Sequence, residues 1–355
     1  MSVCLNMIVR DEAAIIADTL RNVCARMPIS RWVICDTGST DGTQAVVTRT
    51  MAELGVPGEL HQTPWVDFAT NRNRALELCA GKGDYVFFFD ADDVLLGKVE
   101  AADLGAGAYN FRMESENRRI RYFRKLLVRN DGRARWRGVV HEFLDTADLT
   151  VADIGGDHTV VSRRKGARSR DPEKYRNDAL ALERAFAAPG DEDLKPRYAY
   201  YCANSWRDHG DGAKALEWYR RRAGLAGWSE ERYLAHMEAG LSLERAGDRA
   251  AALDHMLAGH DVAPDRAECL YHAARILRHQ GRFRSALIFA KEGVAIPKPA
   301  GNRLFVNNAI YDYWLAYELV FLTARTGGDP RRLPHYARFL ASDAPEKDNR
   351  TIAAL

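Results

Sequence analysis

The chain has 355 residues, 46% hydrophobic and 28% charged, with 51 Lys plus Arg against 49 Asp plus Glu for a formal charge of +2. That length leaves room for two domains of ordinary globular composition, and the balanced charge gives no global case for nucleic-acid or membrane binding. No stretch reaches the roughly 18–20 apolar residues of a membrane span. The N-terminus has neither the basic start nor the apolar core of a signal peptide. The six cysteines are scattered without a C-x-x-C pair, so a reducing cytoplasm is the expected compartment.

Residues 3–9 are a short apolar run, read as a first strand, with Arg10-Asp11-Glu12 at its carboxyl end. Residues 13–27 carry apolar side chains at helical spacing (Ile15, Ile16, Leu20, Val23). A second strand over 32–36 ends at Asp36. It runs into Thr37-Gly38-Ser39-Thr40-Asp41, a loop with the residues that cap a following helix over 43–54. A third strand near 59–62 and a helix over 68–79 come next. Then Tyr85-Val86-Phe87-Phe88-Phe89 runs straight into Asp90-Ala91-Asp92-Asp93. An apolar run without alternation reads as a strand covered on both faces, and strands alternating with helices imply a parallel sheet with right-handed crossovers. Ligands in such sheets bind beyond the carboxyl ends of the strands. Two acids two apart at that edge suit a hard divalent cation that also holds phosphate oxygens. Neither G-x-G-x-x-G nor G-x-x-x-x-G-K-[ST] occurs, which weighs against a dinucleotide fold or a P-loop.

After Asp93 the pattern alternates over 108–113, 120–124 and 125–129, as in antiparallel strands with one wet face. The apolar stretch 136–143 brings His141-Glu142 to its end. A last strand over 151–158 ends at His158, and the basic run Arg163, Arg164, Lys165 follows.

Four motifs carry a resemblance: Met7-Ile8-Val9-Arg10-Asp11-Glu12, Val33-Ile34-Cys35-Asp36-Thr37-Gly38-Ser39-Thr40-Asp41, Ala69-Thr70-Asn71-Arg72-Asn73-Arg74-Ala75-Leu76 and Asp90-Ala91-Asp92-Asp93. In this order and at these spacings the first 165 or so residues resemble a family 2 glycosyltransferase with a GT-A fold, a Rossmann-like mixed sheet in the α/β class. The resemblance implies a nucleotide-sugar donor, a UDP-sugar, and a divalent cation, Mn2+ or Mg2+, that stabilises the departing diphosphate as a Lewis acid. It implies that Asp92 binds the metal and that Asp90 holds the ribose or shares the metal. His158 would be a second protein ligand, which suits manganese as well as magnesium. Asp36 would accept from the uracil N3–H, and Arg10, Glu12 and Arg72 would line the nucleotide pocket. Glu142 would take the proton of the attacking acceptor hydroxyl, with His141 beside it. A single base without a covalent nucleophile implies inversion. The basic run Arg163, Arg164, Lys165 would either close over the diphosphate or, as basic runs more often do, form a solvated face. The bland alternatives are a cap for Asp36, a helix face for Arg72, a hydrogen-bonded strand-end role for His158 and an ion pair for Glu142 with an arginine such as Arg137.

Residues 166–195 read as a linker helix. From 196 to 355 the chain repeats: Gly210, Gly247 and Gly281 are spaced 37 and 34 apart, each followed five residues on by Ala-Leu and preceded seven back by Ala203, Gly240 or Ala274. Helix, Gly turn, helix at about 34 residues is the tetratricopeptide pattern, an all-α array. A last helical pair over 302–325 and 331–340 would cap it. Tyr200, Tyr201, Trp206, Trp218, Tyr219 and Trp228 read mostly as inter-helix core, and otherwise as a groove for a sugar or a protein partner.

The leading expectation is a metal-dependent inverting transferase acting on a glycan, a lipid-linked or a polypeptide acceptor, cytoplasmic or peripheral at the inner membrane face. The alternative is a non-catalytic repeat adaptor with a degenerate front domain. A nucleotidyltransferase would need a Gly-rich basic loop where Arg10-Asp11-Glu12 stands.

Overall fold

The computed structural model describes residues 1–116, 120–163, 165–300 and 303–355; Arg164 of the basic run and Asn302, the expected start of the last helical pair, lie outside them. The chain divides into two compact units, Met1–Ala185 and Phe186–Leu355.

In the first unit, strands and helices alternate as the apolar runs require: β1 (Val3–Val9), α1 (Ile16–Cys24), β2 (Ile29–Asp36), α2 (Thr43–Glu53), β3 (Gly58–Gln62), α3 (Phe68–Glu77) and β4 (Tyr85–Phe88). Then come β5 (Asp93–Leu96), β6 (Ala108–Ser115), β7 (Ile120–Arg129), β8 (Arg135–Arg137), β9 (Phe143–Asp145), β10 (Val151–Asp153), β11 (Thr159–Ser162) and α4 (Lys174–Ala187). The main sheet runs β3-β2-β1-β4-β7-β6-β11-β5, with β10 beside β6, and β8 and β9 form a separate hairpin. β3, β2, β1 and β4 are mutually parallel; β7 runs against β4 and β6, and β5 against β11. Leu5, Met7, Phe87, Phe89 and Phe111 line one buried face with Ile16, Leu20, Val47 and Met51 from α1 and α2. Val33, Val86, Phe88 and Trp136 line the other. Burial on both faces explains the lack of alternation in β1 and β4. The parallel half therefore opens its carboxyl ends, Arg10–Glu12, Asp36–Thr37, Thr63 and Asp90–Asp92, along one edge.

Two expectations about strands differ from the structure. The stretch 136–143 is not one strand: the chain turns between β8 and β9, and His141 sits in that turn at φ 54°. Nor does His158 end a strand. β10 stops at Asp153, the chain bends through Gly155-Gly156, and His158 immediately precedes β11.

The second unit is helical: α5 (Lys195–His209), α6 (Gly212–Ala223), α7 (Ser229–Arg245), α8 (Arg249–Val262), α9 (Glu268–His279), α10 (Phe283–Ala295), α11 (Leu315–Arg325), α12 (Pro334–Leu340) and α13 (Glu346–Ala353). The helices from α5 to α10 pair around the three Gly turns. The small residues are close approaches: a Cβ on Gly240 would stand 2.7 Å from Met256 and one on Gly259 2.7 Å from Cys269. Tyr198, Tyr200, Trp206, Trp218 and Tyr219 are buried, as inter-helix core. Trp228 is 45% exposed. A buried cluster ties α7 to α9: Arg266, fully enclosed, bridges Glu230 and Glu268, with Tyr233 and Tyr311 also on Glu268.

Candidate active site

The acids of the sheet edge fall into two groups. Asp90 follows β4, and each of its oxygens is taken by a guanidinium, Oδ1 by Arg72 at 2.6 Å and Oδ2 by Arg124 at 2.7 Å. Burial alone would raise its pKa, but the two cations overcome that and hold the carboxyl far below its usual range. Arg72 reaches the site from α3, a helix started by Asp67 accepting from the Thr70 N–H at 2.7 Å. Its Nε donates to Glu142 Oε1 at 2.6 Å, and its guanidinium lies 4.8 Å over the Trp136 ring. Arg124 comes from β7, 4.0 Å from the same Glu142 oxygen. Arg72, Asp90, Arg124 and Glu142 are thus one network of two cations and two anions. Glu142 is joined to Asp90 through Arg72, and its ion-pair partner is Arg72 rather than Arg137, which faces Asp145 at 3.7 Å.

Glu12 and Asp92 form the second group. Gly166 N–H donates to Asp92 Oδ2 at 3.2 Å, and Ala167 N–H to Glu12 at 3.2 Å. A Cβ built on Gly166 would stand 3.0 Å from Glu12 Oε1 and 3.3 Å from Asp92 Oδ2. Two carboxylates therefore converge on one point, under a strap formed by residues 166–171. Burial pushes Glu12 up to about 7, with the Asp92 charge adding to the rise against the Ala167 N–H. Asp93, wholly enclosed, is pushed up to about 8 by burial and then by Asp90. Carboxylate oxygens facing one point are the ligand type that a hard cation takes. Among the described residues no three His, Cys, Asp or Glu side chains converge as a metal cluster. A magnesium-like ion, however, is commonly held by one or two carboxylates plus substrate phosphates, so Glu12 and Asp92 fit that role.

His158 does not join them. Asp93 pairs with Ser162 at one end of β11, and His158 precedes the other end, four residues away. At the rise of a strand that is about 13 Å. Its Nε2 accepts the Arg112 N–H at 3.3 Å, and its ring packs edge-on to Phe111 at 5.0 Å. Burial, then Arg112, lowers its pKa. The hydrogen-bonded half of the bland alternative describes its surroundings, though before β11 and not at a strand's end; the expected placement beside Asp92 does not.

Asp36 is buried, and its carboxylate organises its own loop. It accepts from the Gly38 and Ser39 N–H groups at 3.2 and 3.1 Å, from Gln44 Nε2 at 2.9 Å and from the Ser39 hydroxyl. Arg10 is exposed, 3.8 Å from Asp11. Asp11 sits at φ 54° and accepts from the Thr40 N–H at 2.8 Å. It and His141 are non-glycine residues in left-handed backbone, and both flank the site, where such strain tends to gather.

A cleft of about 580 Å3 opens beside these loops, lined among others by Arg10, Glu12, Thr37, Trp65, Phe68 and Arg168. It takes in Arg10 and Glu12 of the expected pocket. Lys165 lies 4.0 Å from Glu116, and Arg163 Nε donates to the Asp92 carbonyl at 3.3 Å. Arg124, Trp65 and the strap were not legible as site residues. Arg124 stands among other basic residues of an alternating strand. The strap has no side-chain signature, because it acts through backbone N–H groups.

Residues 4–99 match the family described as Glycosyl transferase family 2. Over 320 residues the chain is 28% identical to a TPR repeat-containing protein of Synechococcus elongatus, covering 82% of this chain and 75% of that one. Among solved structures, MamA aligns at 12% identity and a TM-score of 0.37, over 51% of this chain and 92% of its own. A thermophilic TPR protein of Thermus thermophilus aligns at 19% and 0.34, over 51% and 90%.

Proposed function

We propose, from a front unit that carries a glycosyl transferase family 2 domain of GT-A type followed by a tetratricopeptide-like helical region, that this chain transfers a sugar from a nucleoside diphosphate sugar. The donor would be a UDP-sugar and the acceptor a glycan, lipid-linked or polypeptide hydroxyl. The observation that carries the reading is the convergence of Glu12 and Asp92 on one point at the sheet edge. A divalent cation held there would stabilise charge on the departing diphosphate.

Glu12 and Asp92 would bind that cation through their oxygens, in place of the strap amides. Arg10 would meet the phosphates. Arg72 and Arg124 would keep Asp90 charged and fixed, where it can accept from sugar or ribose hydroxyls. Glu142 is offered as the base: Arg72 holds Oε1, which leaves Oε2 to take the acceptor proton as the hydroxyl attacks. With one base and no nucleophile, the outcome would be inversion.

The second reading is an adaptor, and the name of the Synechococcus relative gives it some support. Calorimetric titration of the whole chain with UDP and Mn2+ separates the two. Saturable, Mn2+-dependent binding that Asp92→Ala weakens at least tenfold is expected. No heat, or full binding and donor hydrolysis by Asp92→Ala, would sink the transferase reading.

A further inference from the structure

The segment joining β3 to α3 is short and firmly held. Asn71, fully enclosed on α3, accepts the Val66 N–H at 2.8 Å and donates to the Pro64 carbonyl at 2.9 Å. Asp67 caps α3 at the next position. Between these anchors stands Trp65, 41% exposed, with its ring edge-on to Phe68 at 4.8 Å and 81°. Phe68 is itself covered by the Arg168 guanidinium at 4.6 Å. A large apolar ring thus lines an open cleft rather than being packed away.

Strand order decides what faces that ring. Along the edge, the loop after β3 brings Trp65, β2 ends in Thr37, β1 in Arg10 and Glu12, and β4 in Asp92. The row runs from an aromatic wall through a polar floor and an exposed cation to a pair of acids, over three strand spacings, about 14 Å. A nucleoside diphosphate has the same sequence of chemistry: a flat base, a ribose, then phosphates that want cations.

We infer that Trp65 is the surface on which the base of the bound nucleotide stacks, with Phe68 and Arg168 backing it. The inference rests on the nucleotide reading of the cleft. Stacking is tolerant of base identity, so Trp65 supplies affinity, while selection among bases is left to groups on the base edge.

The test compares UDP with pyrophosphate, each titrated with Mn2+ into the full chain and into Trp65→Ala and Trp65→Phe. Wild type should prefer UDP to pyrophosphate by at least tenfold, Trp65→Ala should lose most of that preference through weaker UDP binding, and Trp65→Phe should keep most of it. A Trp65→Ala chain that retains the preference, or a wild type without it, overturns the inference and leaves the cation site standing. A Trp65→Ala chain that weakens both probes equally also overturns it, since the residue would then only shape the loop. A wild type that binds no nucleoside diphosphate overturns the donor reading itself, and this inference with it.

Discussion

At Asp90 a carboxylate at the sheet edge has a guanidinium partner on each oxygen. Its environment shows which member of the network bears most of the weight. Arg72 is the more enclosed cation, with its side chain only 7% exposed, and it serves Asp90 and Glu142 together; Arg124 is 26% exposed and reaches Glu142 only at 4.0 Å. Removing one partner of an enclosed pair leaves an uncompensated charge, which costs about 3–5 kcal/mol, and water screens the penalty where it can enter. Arg72→Met should therefore destabilise the chain by about 3 kcal/mol or more, and Arg124→Met by about 1–2 kcal/mol. Urea unfolding followed by tryptophan fluorescence, in which Trp136 lies against Arg72, would check the order. Equal losses would mean that the second carboxylate contributes nothing. Asp90 was readable from the sequence because an unbroken apolar strand that ends in a carboxylate must deliver that charge to the sheet edge, where water or a ligand can meet it. Arg124 was not, because its partner lies 34 residues away in sequence and only strand pairing brings them together.

The elements of the second unit were legible through glycine. Gly210, Gly247 and Gly281 all sit at positive φ, 97°, 88° and 73°, ending α5, α7 and α9, where a side chain would be strained. The repeat also sets the next position. Asp211 caps α6 by accepting from Lys214 N–H at 3.0 Å, and Asp248 caps α8 through Ala251 N–H at 3.1 Å. At the equivalent place before α10 stands Arg282, which makes no side-chain cap bond and adds a positive charge at the positive end of the helix dipole. Asp248→Ala should cost about 1 kcal/mol, and Arg282→Asp should gain about 0.5–1 kcal/mol by restoring the repeat's own cap. Amide exchange in the first turns of α8 and α10 would show both: faster in the former, slower in the latter. The last elements were less legible. α13 follows Asp343-Ala344-Pro345 and is mostly charged or polar, so its helical period was hidden.

Over the whole molecule, sequential βαβ crossovers fixed what could be read, and non-sequential pairings hid the rest. β1, β2, β3 and β4 follow one another in the chain with helices between, and such crossovers make the strands parallel, which places their carboxyl ends on one edge. That is why Arg10, Glu12, Asp36, Asp90 and Asp92 were found in one region. After β4 the order in the sheet becomes β7, β6, β11 and β5, which no periodicity reveals. The direction of β11 settles the case of His158. β11 runs parallel to β6 and against β5, so the end beside Asp93 is its Ser162 end, and His158 enters from the opposite one. A residue there could reach a cation held at Asp92 only if β11 left the sheet. His158→Gln supplies an acceptor for the Arg112 N–H in a similar place, so it should preserve the local bonding. UDP titration in the presence of Mn2+ should then give an affinity within about twofold of wild type. A loss of tenfold or more, with Mn2+ dependence weakened in parallel, would return the imidazole to the metal. In that event the strap and β11 would have to rearrange together when donor binds, since Gly166, on Asp92, is only four residues beyond Ser162.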